Sequence, residues 1–184
     1  IGITNLAEVA LFSFSSVMMG WLGTIPLAAH GIALQIASAT FMVHMGLSNA
    51  ATIRAGNAYG LRDAAHLARG ARAVLVLSGL AVAATVVLFL AAPGPLYALF
   101  LDPGEPARAE IMALGALLLA IAALFQLVDA AQVMALGLLR GVRDTTVPMI
   151  MAAVSYWAVG IPAALVMGFW LGWGGAGVWL GLTL

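Results

Sequence analysis

Clusters of glycine and proline cut this chain into apolar stretches, each close to the length that crosses a bilayer. The breaks fall at Gly23-Thr24-Ile25-Pro26, Pro93-Gly94-Pro95, Asp102-Pro103-Gly104 and Gly172-Trp173-Gly174-Gly175. Gly and Pro are the strongest local interrupters of regular structure. A spanning helix needs ~20 mainly apolar residues. Five stretches meet that length, at about 1–22, 27–56, 71–93, 110–139 and 146–170, and a sixth starts near 175 and runs to Leu184. The expectation is an all-α, multi-pass membrane protein embedded in the lipid bilayer. Its sixth helix is truncated, and the chain reads as a piece of a longer polytopic protein.

Composition agrees with that class and excludes others. Only 8% of residues are charged and 64% are hydrophobic, against roughly 25% charge in soluble domains. A formal net charge of zero offers no electrostatic footprint for nucleic acid. Cysteine is absent, which excludes a disulfide framework and a thiolate metal site. All seven basic residues are Arg, so no lysine is present to form a Schiff base.

The arginines orient the spans. Arg54, Arg62, Arg69 and Arg72 crowd the second connection, and Arg140 and Arg143 the fourth, whereas Arg108 stands alone among Asp102, Glu105 and Glu110 in the third. Arg excess marks cytoplasmic loops. The 54–72 and 140–144 loops are therefore expected in the cytoplasm, in a cell inner (plasma) membrane. Both contain a short repeat, Gly60-Leu61-Arg62-Asp63 and Gly141-Val142-Arg143-Asp144. In this pattern Gly is expected to end one helix and Asp to cap the next.

Two acids break the apolar pattern. Glu8 lies in the first span and Asp129 in the fourth. At 1.5 Å of rise per residue, Glu8 sits ~22 Å from the outer end of its helix and Asp129 ~16 Å from Arg140. Both are thus well inside a ~30 Å hydrocarbon core. A charged group there costs about 2.5–3.5 kcal/mol on insertion scales and marks an ion or substrate path by default. No intramembrane Lys or Arg is at hand as a partner, Arg54 being the nearest candidate. Desolvation favours the protonated form of a carboxyl and a bound cation favours the ionised form. A buried carboxylate pair can therefore exchange a proton for a metal ion or an organic cation. Glu8 and Asp129 are the expected ligands of a monovalent cation.

Polar neighbours extend this set. Gln126 and Gln132 flank Asp129 at three residues on either side, on nearby helix faces. Asn5 precedes Glu8 by three residues, and Gln35 lies inside the second span. These are candidates to line a cavity or support the acids, although buried amides also serve helix packing. His30 and His44 are read as hydrogen-bonded interior groups. Most of Trp157, Trp170, Trp173 and Trp179 read as interface anchors. Gly168…Gly172 and Gly177…Gly181 read as Gly-x-x-x-Gly helix contacts, and Pro148 and Pro162 as kinks in the fifth span.

Several segments carry a family resemblance. Met18-Met19-Gly20-Trp21-Leu22-Gly23, Leu27-Ala28-Ala29-His30, Ile32-Ala33-Leu34-Gln35, Ala51-Thr52-Ile53-Arg54-Ala55-Gly56, Leu138-Leu139-Arg140-Gly141 and Ser155-Tyr156-Trp157 followed by Gly160-Ile161-Pro162 together resemble the carboxy-terminal half of a multidrug and toxic compound extrusion (MATE) transporter. The resemblance implies a six-helix lobe of a twelve-helix protein, with the amino-terminal lobe as its partner. It implies export of cationic or amphipathic drugs by alternating access, in exchange for Na⁺ or H⁺ and without a cofactor. Glu8 and Asp129 match the two acidic residues of this lobe that contribute to the cation site in the Na⁺-coupled branch. A Tyr that often stands four residues before the Asp is Phe125 here, which removes a hydroxyl.

Other functions fit the residues less well. A lipid-linked saccharide flippase of the same superfamily calls for a broad basic cavity, and no Arg lies deep in these spans. An enzyme is not expected. Ser48 in Gly46-Leu47-Ser48-Asn49-Ala50 lacks the second Gly of a nucleophile elbow, and no His-Glu-x-x-His is present.

Overall fold

The computed structural model describes the backbone of residues 2–184 and the side chains of residues 6–184. These residues form helices and short turns, in agreement with the all-α expectation: α1 (Gly2–Leu22), α2 (Thr24–Gly60), α3 (Ala64–Ala91), α4 (Pro93–Ala98), α5 (Arg108–Gly141), α6 (Thr146–Val154), α7 (Ile161–Leu165) and α8 (Gly174–Thr183). Two π-helical turns, Ser155–Gly160 and Val166–Trp170, join α6 and α7 into one continuous span, Thr146–Trp170. That span, α2, α3 and α5 are each long and apolar enough to cross a membrane, and α1 contributes a shorter apolar stretch, Leu6–Leu22.

Several breaks differ from the sequence expectation. Gly23 alone separates α1 from α2, because its φ of 128° suits only a residue without a Cβ. Pro26 lies in the first turn of α2, where a backbone N–H has no partner to lose, so α2 starts at Thr24 rather than near residue 27. Pro93 and Pro95 likewise do not end the ordered chain. Pro stands at the start of α4, a short helix that tucks Tyr97 into the core, where its hydroxyl donates to the Ala29 carbonyl at 2.7 Å. Pro148 also falls in a first turn, that of α6, and breaks no helical bond. Pro162 follows the π turn Ser155–Gly160, where the hydrogen-bond register already changes.

The Gly-x-Arg-Asp repeat closes two helices, with a different division of labour from the one expected. Asp63 N–H donates to Ala58 O and Arg62 N–H to Tyr59 O; Asp144 N–H donates to Leu139 O and Arg143 N–H to Arg140 O. Both sets are Schellman closures. Gly60 and Gly141 are the last helical residues, and the left-handed position that usually takes Gly is filled by Arg62 (φ 53°) and Arg143 (φ 67°). Left-handed backbone costs a residue with a Cβ about 1–2 kcal/mol. Asp63 caps α3 by accepting from the His66 N–H at 2.8 Å, and this bond holds its carboxyl below the usual carboxylate range. The second Asp has no equivalent role, since α6 starts from Thr145 without a side-chain cap.

α2 packs most extensively on α5, and α3 lies against both. The α2–α5 seam uses small residues and crossing hydroxyls. Ser48 Oγ donates to the Val133 carbonyl and Thr52 Oγ1 to the Gly137 carbonyl, each at 2.8 Å. A Cβ on Gly137 would lie 2.7 Å from Ser48 O, and one on Gly141 2.7 Å from Thr52 O. At the other side of the bundle α8 packs on α7, on the π turn Val166–Trp170 and on α5. There a Cβ at Gly177 or Gly181 would run into the backbone of Met167 or Ala164. Gly172 is not part of such a contact: its φ is +71° and open space surrounds it, so it is a turn residue. Gly181→Ala and Gly141→Ala are therefore expected to destabilise the fold by about 1–3 kcal/mol each. Gly46→Ala, with nothing within 4 Å, should not, as thermal unfolding in detergent would show.

Candidate functional site

Glu8 on α1 and Asp129 on α5 line the same cavity, although they are 121 positions apart in the sequence numbering. Both are half-buried. The cavity holds about 140 Å³, and Gln132, Ser155, Tyr156 and Thr183 add neutral polar groups to its wall. Two smaller hollows of about 40 and 10 Å³ adjoin it and are lined by the same two acids. No arginine lines any of the three. Arg54 instead lies beside Gly70 of α3.

The aromatic wall is ordered edge to face. Phe125 meets Phe12 at 6.0 Å between ring centroids and Trp179 at 6.2 Å, with interplanar angles of 79° and 83°. Phe125 thus forms an apolar side of the site, where a hydroxyl is absent. Tyr156 supplies a hydroxyl from another direction. It rides on the π turn Ser155–Gly160, and its hydroxyl accepts a hydrogen bond from Gln132 Nε2. The sequence reading missed Tyr156 as a site residue. Its only signal there was membership of the Ser155-Tyr156-Trp157 segment, because a π turn leaves no periodic mark.

The remaining candidates divide. Gln126 is buried, and its Nε2 donates to Ala37 O at 2.8 Å and Thr40 Oγ1 at 2.7 Å, clamping α5 to α2. Its Oε1 is buried without a partner, beside a hollow lined by Glu8 and Asp129. Gln132 faces the main cavity. Gln35 is exposed on α2 and lines none of the three hollows. The side chain of Asn5 lies outside the described residues.

A second buried polar group backs the aromatic wall. Trp179 is 1% exposed, so it is no interface anchor. Its Nε1–H donates to His30 Nδ1 at 3.1 Å. That bond makes Nδ1 an acceptor and places the ring proton on Nε2, which meets Ser16 Oγ at 3.0 Å. Ser16 in turn donates to the Phe12 carbonyl at 3.1 Å. His30 therefore ties α1, α2 and α8 together behind the cavity. His44 has a simpler place, with Nδ1 3.0 Å from Ser78 Oγ.

Among the described residues no cluster of three or more His, Asp or Glu side chains could hold a metal ion. The site has the two acids and neutral oxygens. Such oxygen groups are of the kind that hard cations and protons take.

Comparisons with known proteins agree with this architecture. The MatE family model matches residues 1–166. A probable multidrug resistance protein NorM from Rhizobium meliloti (strain 1021) is 48% identical over 184 residues, which is 100% of this chain and 39% of that protein. A protein of the same description from Agrobacterium fabrum is 47% identical over 185 residues, 100% of this chain and 40% of its own length. The chain thus spans about two-fifths of these relatives. Among solved structures, the outward-facing conformation of a multidrug resistance MATE family transporter of the MOP superfamily superposes with a TM-score of 0.84. It is 18% identical, with 98% of this chain and 39% of that chain covered. The buried indole bond gives a direct check on the geometry behind the site. His30→Phe leaves the Trp179 N–H without an acceptor and is expected to cost about 1–3 kcal/mol of stability, measurable by thermal unfolding in detergent, whereas substitution of exposed Trp170 should cost almost nothing.

Proposed function

Because the chain belongs to the MatE family, we propose that it is the carboxy-terminal lobe of a secondary active exporter. The exporter moves cationic or amphipathic small molecules out of the cell in exchange for Na⁺ or H⁺. The observation that carries this reading is the shared cavity of Glu8 and Asp129: two carboxyls from separate helices, ringed by neutral hydroxyl and amide groups in an otherwise apolar bundle. Acids so placed are costly to keep and gain their use from binding and releasing a cation.

The mechanism is competition. A proton or Na⁺ entering at Glu8 and Asp129 removes one of the pair's two negative charges, and its presence disfavours the organic cation. Loss of the ion restores the negative charge and the affinity for drug. Tyr156 and Gln132 act as neutral ligands or hydrogen-bond donors to the acids. A flippase reading calls for a basic cavity, and the absence of arginine from these hollows gives it no support.

The exposed surfaces support a missing partner lobe. α3 presents Leu75, Leu80, Val87 and Leu90 outward, a lipid-like face. On α2 the exposed Gln35, Ser38 and Asn49 stand among apolar residues that include Met42, Val43 and Ile53, and lipid would leave these three polar side chains unsatisfied. α2 therefore faces the amino-terminal lobe or the water-filled cleft between the lobes, and Gln35 belongs to that cleft. With the arginine-rich 54–72 and 140–144 loops in the cytoplasm, the lobe sits in the bacterial inner membrane.

The test is drug-dye efflux by the complete transporter in proteoliposomes, driven by a Na⁺ gradient and separately by a pH gradient. Glu8→Gln and Asp129→Asn are expected to insert normally and lose export; wild-type efflux from both would contradict the reading. Tyr156→Phe should raise the half-saturating ion concentration about fivefold, the equivalent of about 1 kcal/mol for one hydrogen-bonding group. Adding Phe125→Tyr to it, which returns a hydroxyl to the opposite wall, should recover part of that loss.

A further inference from the structure

We propose that Arg62 and Arg143 form a binding site for a phosphate oxyanion in the hollow between the ends of α2 and α5. The two belong to the repeated Gly-x-Arg-Asp turns, which the cation site leaves unexplained. Four observations converge on them.

First, they are the only non-glycine residues with positive φ among the described residues. Every turn contact that closes these helices is made by the backbone, so Gly would serve the turn with less strain. Strain held at two matching positions asks for a use of the side chains. Second, both arginines line one hollow of about 520 Å³, together with Tyr59 and Gly56, Gly60 and Gly141. The same glycines bring the helix ends together, since a Cβ on Gly56 would lie 3.4 Å from the Gly141 carbonyl. The strained pair is thereby focused on one place rather than scattered over the surface.

Third, the hollow has two positive charges and a phenol hydroxyl in its lining and no acid. The acid next to Arg62 in sequence, Asp63, is occupied as the cap of α3 through the His66 N–H and lies in the field of Arg69. Fourth, the chemistry of the lining is selective. Arg offers a planar fork of donors that matches an oxyanion bidentately, and two forks with a hydroxyl suit the several oxygens of a phosphate. The hollow lies at the ends of membrane-crossing helices, the depth at which lipid headgroup phosphates are found. Basic pockets between helices at that level bind anionic lipid. A lipid headgroup and free phosphate share this chemistry.

The experiment is thermal unfolding of the complete detergent-solubilised transporter. One arm adds sodium phosphate against sodium chloride at equal ionic strength, and the other adds phosphatidylglycerol against phosphatidylcholine. Variants are Arg62→Gln/Arg143→Gln, Arg62→Gly/Arg143→Gly and, as a control for equal loss of charge, Arg69→Gln/Arg72→Gln. The wild type should gain about 2–4 °C, the size expected for a ligand near saturation. A gain in the phosphatidylglycerol arm alone identifies a lipid headgroup, and a gain with phosphate identifies the free anion. Either gain should vanish in both Arg62/Arg143 variants and survive in the control. Without ligand, the double Gly variant should unfold at or above the wild-type temperature, because its turns are relieved of strain. No gain from either probe, a gain that persists in the double Gly variant, or equal loss in the control would overturn the site. So would a double Gly variant less stable than the wild type without ligand, which would make the arginines structural.

Discussion

The seam between α2 and α5 is where this lobe is held most closely. Ser48 and Thr52 reach across to carbonyls of the facing helix, and Gly137 and Gly141 leave the room for them to do so. In a bilayer the hydrophobic effect does not draw apolar helices together, so close backbone approach and interhelical hydrogen bonds must. Further along the same pair, Gln126 repeats the device by donating to Ala37 and Thr40. The rotation of α5 is thereby set over its length, and with it the direction in which Asp129 points.

The meeting of Glu8 and Asp129 follows from that rotation. With α5 locked to α2, Asp129 and Glu8 of α1 line a common cavity, and Ala37 and Phe41 of α2 border the smaller hollows that the two acids share. The far wall is built differently. The π turn at Ser155–Gly160 carries Tyr156 to Gln132, while α8 delivers Trp179 against Phe125 and fastens it to His30. One side is thus a rigid seam, and the other combines a non-standard helical turn with aromatic edges. π turns are frequent at functional positions because they rotate side chains away from the regular helical faces.

Much of this was readable from residues alone. The apolar stretches mark the membrane helices because length and polarity are one-dimensional properties. Glu8 and Asp129 stand out because a charge in such a stretch is rare and costly. What stayed hidden depends on how helices face each other. Helices apolar all round carry no amphipathic stripe to show which side is inward, so Trp179 could not be told from the exposed Trp170, nor clamping Gln126 from exposed Gln35. Glycine roles were equally ambiguous: Gly181 makes a helix contact while Gly172, in the same kind of spacing, makes a turn. The Gly-x-Arg-Asp repeat was visible, but only the backbone bonds show that Arg, not Gly, takes the left-handed position.

In the proposed exchange, Glu8 and Asp129 together hold a proton that another cation can displace. The most direct measurement is proton release from the purified transporter in weakly buffered detergent on addition of Na⁺ or of tetraphenylphosphonium, for the wild type and for Glu8→Gln/Asp129→Asn. Release from the wild type with at least one of these cations, and none from the double variant, is the predicted result. Equal release from both proteins, or none from the wild type with either cation, would contradict it.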